Sequence, residues 1–280
     1  LVRAGVPLGV LLKHYIEKHQ QCVHYGISII RDRGIDIAAL HAIIGQHGAE
    51  NIVFVDGWTG KGAICRELTQ NLADYPALFD PGWDIPRLVT LADLGGYSWL
   101  SASCEDWLIP FGILGSVISG LISRTILKDT TDFDLAKKNC YDPNNWHSCL
   151  VYQHLAQHDI SVDFTDKILN IIQQNPHTDL ANWNNHIRLK QQKICLDTID
   201  WISDTYAIKN INHIKPSIAE ATRAVLRRVP EKILIRDPSN PHVQLLLHFA
   251  QERNIAVDIL GAKLGSYHAV TLIKKVEKNK

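Results

Sequence analysis

The chain contains no methionine and begins at Leu1. A chain of 280 residues would ordinarily carry several, so a truncated or processed start is expected. Net charge is missing too: Lys plus Arg and Asp plus Glu stand at 29 each, which removes any global field drawing the protein to nucleic acid or acidic membranes. Such a contact must be a local patch. Cys22, Cys65, Cys104, Cys140, Cys149 and Cys195 form no C-x-x-C pair, which argues against a zinc ribbon, and a chain this long needs no disulfide staples. A cytosolic, reducing setting suits these thiols. No apolar run reaches the ~20 residues that span a bilayer. The longest, 108–122, is broken by Pro110, Gly112, Gly115 and Gly120. No charged-then-apolar secretory leader opens the chain.

What is present alternates. Strand-like runs at 26–30, 52–55 and 87–91 each end at a polar or Gly-rich turn, with helical patterns between them. The helix over 36–47 sets Ile37, Leu40, Ile43 and Ile44 on one stripe, and another runs over about 63–72. This order predicts βαβ units and a parallel sheet. From 133 to about 208 the chain is rich in Asn, Gln, His and Asp, with helical stretches such as 164–172 and no strand. The polar turn 210–213 before Lys215-Pro216 marks a domain boundary. Beyond it, helix 217–229, strand 232–235, helix 242–253, strand 256–260 and an apolar segment 269–273 read as a small α/β/α sandwich.

The stretch "NIVFVDGWTGKGAI", 51–64, is a buried strand that ends on Asp56 and turns through Gly-Lys-Gly into a helix. Backbone N–H groups there suit a phosphate, and Asp56 suits ribose hydroxyls or a metal. The Walker spacing is wrong and no Ser or Thr follows Lys61, so an ATPase is disfavoured. The plainer alternative is a tight turn whose Gly supplies positive φ. Arg3-Ala4-Gly5 forms a turn after an expected strand end, and "GISIIRDRGID" finishes another strand in Arg31, Asp32 and Arg33. Together these deliver anion-binding groups to one sheet edge. A solvated loop in which Arg31 and Arg33 pair with Asp32 or Asp36 competes with that reading.

The segments "RAGVPLG", "HYGISIIRDRGID", "FVDGWTGKGAI" and "EDWLIPFGILGSVISGLISRT" resemble the phosphoribosyltransferase-like proteins of tellurium-resistance and stress operons, also catalogued as cysteine protease StiP. The resemblance covers 1 to about 163. It implies a type I phosphoribosyltransferase fold, sequence before Leu1, and a role in making a modified ribonucleoside from phosphoribosyl pyrophosphate. By it, Arg3, Ala4 and Gly5 fall on the pyrophosphate loop. Asp56 falls on the first acid of the phosphoribosyl-pyrophosphate loop, and Thr59, Gly60, Lys61, Gly62 and Ala63 hold the 5-phosphate. Gly57 stands where a second acid is expected. The transfer develops a cationic sugar and a highly charged leaving group, so Mg²⁺ on Asp56, with charge from Arg31, Arg33 and Lys61, is the expected machinery.

A cysteine hydrolase is the rival. Cys104 in "SWLSASCEDWLIP" is its nucleophile, although the adjacent Glu105 and Asp106 would raise a thiol pKa and any of 14 His residues could be its partner. His147, His154 and His158 invite a metal, but no third ligand stands at a recognisable spacing.

The tail "KPSIAEATRAVLRRVPEKILIRDPSNPH" resembles the Pelota-type RNA-binding domains over 215 to about 273. Ser217, Glu220 and Arg223 fall on that group's G-x-N-E-x-x-K signature, with Ala219 in place of Asn. Lys215, Arg223, Arg227 and Arg228 would meet phosphates of a structured RNA, and Glu220 a base edge. An ordinary basic helix on a docking module is the alternative. The expectation is thus an N-terminally truncated transferase-like domain over 1–210, joined to a Pelota-like module over 215–280.

Overall fold

A computed structural model describes residues 1–2, 4–30, 33–109, 123–126, 146–175 and 182–274. Helix α1 (Gly5–Ile16) opens the chain, followed by a hairpin of β1 (Ile29–Ile30) and β2 (Gly34–Ile35). The run expected as a strand over 26–30 is thus mostly a loop, tied to Val2 by one parallel bridge at Ser28. Asp36 caps α2 (Ile37–His47) by accepting the Ala39 N–H at 3.0 Å. Then come β3 (Phe54–Thr59), α3 (Ala63–Asn71), the short pair β4 (Phe79–Asp80) and β5 (Ile85–Pro86), β6 (Leu88–Asp93) and β7 (Leu100–Ser103).

β3, β6 and β7 form a parallel sheet in that order, as the alternating pattern predicts. Leu40, Leu68, Leu72, Leu78 and Leu88 are fully buried around it. Each withdraws roughly 1.5–3 kcal/mol of apolar surface from water.

β8 (Ser123–Ile126) pairs antiparallel with β9 (Ser148–Val151), so the polar region expected to lack strands contains one. Helix α4 (Ser161–Gln174) follows, then the long α5 (Asn185–Thr205), capped by Asn184. His154 and His158 lie in a short 3-10 turn rather than on one face of an α-helix. Among the described residues no group of three or more His, Cys, Asp or Glu side chains comes together to hold a metal ion. No described helix is long and apolar enough to cross a membrane.

The polar turn expected at 210–213 contains a 3-10 turn, Ile211–His213, and the C-terminal unit then opens with β10 (Ile214–Pro216), where the sequence predicts no strand. Helix α6 (Ile218–Arg227), β11 (Pro230–Ile235), α7 (Gln244–Glu252), β12 (Ala256–Ile259) and β13 (Ala269–Ile273) complete a mixed sheet of order β10-β13-β11-β12. β11 and β12 are parallel, and β13 runs antiparallel to its neighbours. Cys195, Ile199 and Ile202 of α5 share one core with Ala92 and Leu94 at the end of β6 and with Leu234, Tyr267 and Leu272 of the C-terminal unit. Helix α5 is therefore the wedge through which the two sheets meet.

Gly62, at φ 72°, turns the chain from β3 into α3, and a Cβ there would lie 2.2 Å from the Tyr97 ring. The positive φ is the tight-turn requirement read from sequence. Gly62→Ala should destabilise the protein by roughly 2 kcal/mol or more through left-handed strain and the ring clash, measured as a lower urea midpoint at unchanged slope.

Candidate functional site

The carboxyl end of β3 and the N-terminus of α3 face helix α6 across a cleft of about 510 Å³. Asp56, the loop from Thr59 to Ala63 and Ala4 line one wall. Lys215, Glu220, Arg223, Arg227 and Arg228 line the other. Two sets of residues expected to serve separate ligands therefore share one cavity. Gly5 and Arg33 are not among its lining residues, and Arg3 and Arg31 lie outside the described residues. Cys65 also reaches the cleft wall, from the first turn of α3.

Polar groups fasten the wall residues. Thr59 donates its hydroxyl to Asp93, whose carboxylate also accepts the N–H groups of Gly96 (2.7 Å), Tyr97 (2.7 Å) and Ser98 (2.6 Å). Burial still pushes the Asp93 carboxyl above its usual range, against these bonds. Asp56 accepts the Gly57 N–H at 2.8 Å, and burial raises its carboxyl as well, while Arg223 pulls it down. The Lys61 ammonium turns away from the loop and donates to the carbonyls of Ile211 and Ile214, each at 2.6 Å. Lys215 is 8 % exposed and faces Glu220 at 3.7 Å. Arg227 and Arg228 are exposed.

The second feature is a carboxylate seam beyond β7. Asp106 is buried, and its two oxygens accept the N–H groups of Ile218 and His268, each at 2.8 Å. One side chain thus grips the first residue of α6 and the loop before β13. Asn240 uses its side-chain oxygen to accept the His242 N–H at 2.8 Å, which turns its NH₂ toward His268 Nδ1 at 2.9 Å. With Nδ1 accepting, the neutral His268 ring carries its proton on Nε2. Burial, and then Arg236, holds this imidazole below its ordinary pKa.

Cys104 stands two residues before Asp106, at the end of β7. It is half-buried, and burial followed by Glu105 pushes its thiol up. Asp106, also expected to raise the thiol, is instead spent on the C-terminal unit. The other described cysteines differ in setting. Cys65 and Cys195 are buried, and burial leads the causes that raise both thiols, Cys65 well above its ordinary value. Cys195 further lies 2.8 Å from the Tyr267 hydroxyl, which also stands 2.8 Å from the Gly60 carbonyl. Cys22 and Cys149 sit away from the sheet edge, in the loop after α1 and on β9. Cys140 lies outside the described residues.

A family model described as tellurite-like stress resistance cysteine protease StiP matches residues 1–169. A protein of Acinetobacter baylyi named cysteine protease StiP is 49% identical over 279 residues, covering 99% of this chain and 72% of its own length. The chain belongs to the StiP family. A model of the PELOTA RNA binding domain matches 193–275, and no solved structure matches.

StiP membership by these names overturns the transferase reading: both the family and the relative are described as cysteine proteases, which is the rival drawn from Cys104. The sheet is parallel as expected, but no solved neighbour supports the type I phosphoribosyltransferase fold. With the reaction go the pyrophosphate and 5-phosphate roles it implied. Physically, the Lys61 charge that such a loop would offer a phosphate is held by linker carbonyls in this StiP-family chain. Sequence reasoning missed that Asp106, two residues past Cys104, accepts the His268 N–H, and that Asn240 bonds the His268 ring. No local cue marks these contacts, which join residues 162 and 28 positions apart.

Burial raises the Asp106 carboxyl from 3.8 to about 7, against three backbone N–H bonds that favour the anion. The folded state therefore holds a proton that the unfolded state has already released between about pH 4 and about pH 7. Stability from this group is fully present below about pH 4 and is lost as pH rises through about 7. Urea titrations at stepped pH should show wild type losing stability across that window, by on the order of 4 kcal/mol at most from Asp106. Asp106→Asn should flatten the slope there.

Proposed function

We propose that the protein is a cysteine protease whose nucleophile is Cys104, with His268 as a hydrogen-bond donor beside it. Family membership supports the class. The observation that carries the residue choice is the Asp106 carboxylate, which ties the His268 backbone to the segment bearing Cys104. Cys104 combines partial exposure with a position at the carboxyl end of a parallel strand, where open sheets place their chemistry.

With its thiol raised and its imidazole lowered, the resting pair is neutral rather than a thiolate–imidazolium pair. The thiolate forms by loss of its proton to solvent and adds to the peptide carbonyl carbon. His268 Nε2–H suits the oxygen that becomes negative in that step. Collapse breaks the C–N bond, the amine leaves with a proton from water, and a second water cleaves the thioester.

In hydrolysis of fluorescein-labelled casein, Cys104→Ser should abolish turnover while Cys22→Ser and Cys149→Ser keep it. His268→Ala should lower kcat by about 10²-fold, and His268→Gln, which restores a donor but no base, should recover part of that loss. A Gln variant no better than Ala would make His268 the base instead. Site-resolved iodoacetamide labelling of Cys104 should rise through a pKa above the ordinary thiol value. Glu105→Gln should lower that pKa, because a like charge has been removed.

A second activity rests on the cleft. We propose that the C-terminal unit binds structured RNA through α6, supported by the match to the PELOTA RNA binding domain and by Arg227 and Arg228 on the open part of the cleft wall. Replacing either by Ala should weaken binding in fluorescence anisotropy and flatten the log–log salt slope by roughly 0.7–0.9. Lys215→Ala should act chiefly on stability, since that side chain is buried. A salt slope unchanged by Arg227→Ala and Arg228→Ala would leave α6 as a docking helix.

A further inference from the structure

Helix α6 touches both candidate sites. Its first residue, Ile218, donates to Asp106, two residues from Cys104, while Arg223, Arg227 and Arg228 further along line the cleft. The opposite wall of that cleft, Thr59 to Ala63, belongs to the N-terminal half. Contact across the gap is close: a Cβ on Gly60 would stand 3.1 Å from Glu220 Oε2 and from the Pro216 carbonyl. A ligand that fills the cleft therefore touches the same two halves that Asp106 joins.

We propose that RNA bound in this cleft clamps the C-terminal unit onto the sheet edge and thereby controls access to Cys104. The inference rests on the RNA and Cys104 readings above and adds the link between them. A ligand bridging both walls binds the docked arrangement and loses half its contacts in an undocked one. Mass action then lowers the undocked fraction by the factor one plus ligand concentration over Kd. Cys104 is half-buried on the segment that Asp106, two residues on, holds to the C-terminal unit, so labelling that proceeds through transient opening must slow in step. The cleft presents three Arg side chains along one helix against an uncapped helix N-terminus, a pattern suited to successive phosphates.

The test uses the full chain and site-resolved iodoacetamide labelling, with and without a bulged RNA hairpin at ten times its Kd. Cys104 labelling should slow by about 3- to 10-fold, with Cys22 unchanged as an internal reference. In Arg227→Ala/Arg228→Ala the RNA effect should vanish at the same RNA concentration. In Asp106→Asn basal labelling should rise, with Cys65 and Cys195 still protected as evidence of an intact fold. RNA that binds with no change at Cys104 overturns the clamp while leaving RNA binding standing. Absence of RNA binding overturns both. Slowing by poly-glutamate but not by RNA would make the occupant an acidic protein segment and overturn the proposal as stated.

Discussion

Two buried ionisable side chains cross the junction in opposite directions, and the rest of the architecture depends on them. Lys61 sends its ammonium from the N-terminal loop into the carbonyls of Ile211 and Ile214, while Asp106 sends its carboxylate onto the N–H groups of Ile218 and His268. In these bonds each is met by backbone dipoles. Desolvating an ion costs several kcal/mol, which those dipoles offset for Lys61 and which Asp106 avoids by keeping its proton up to about pH 7. Separating the halves would hydrate both side chains but strip the backbone groups of β10 and α6 of their partners. Apolar packing of α5 between the two sheets supplies the bulk of the cohesion, and these bonds fix the register.

On the proposed reading that register also matters for chemistry. Cys104, half-buried just past β7, has no described histidine of the N-terminal half bonded to its segment. The junction brings His268, and Asn240 settles which ring nitrogen bears the proton. Burial and then Glu105 both disfavour the Cys104 thiolate. A thiol held back in this way is compatible with a protease that acts on a restricted set of proteins, where turnover is limited by presentation of the substrate rather than by a standing thiolate.

Legibility from sequence followed locality. The parallel order of β3, β6 and β7, the cap at Asp36 and the positive φ of Gly62 were readable because each is set by residues within a few positions. The turn at 210–213 was readable, but β10 directly after it was not, because its pairing with β13 spans more than fifty residues and has no local cue. β9 was missed for the same reason. Lys61 looked like a phosphate ligand because Gly-Lys-Gly after a strand is locally indistinguishable from one. Its true acceptors lie 150 or more positions away. The cation set on α6 was legible as basic, but not as facing inward onto the very loop expected to hold another ligand.

Ser217 shows how tightly the joint is specified. It stands where the Pelota signature has Gly, and it adopts φ 77°, a conformation that costs a non-Gly residue of order 1–3 kcal/mol. Its hydroxyl accepts the Glu220 N–H at 3.2 Å and so caps α6, a gain over Gly of a few tenths of a kcal/mol. The cap offsets only part of the strain. What tips the balance is full burial of Ser217 directly before Ile218, whose N–H is committed to Asp106: the backbone there has no freedom to relax into an ordinary cap geometry without breaking the bond that ties α6 to the Cys104 segment. The unusual φ is therefore imposed from outside the helix, by the seam, and Ser is retained because its hydroxyl recovers locally part of what the seam demands.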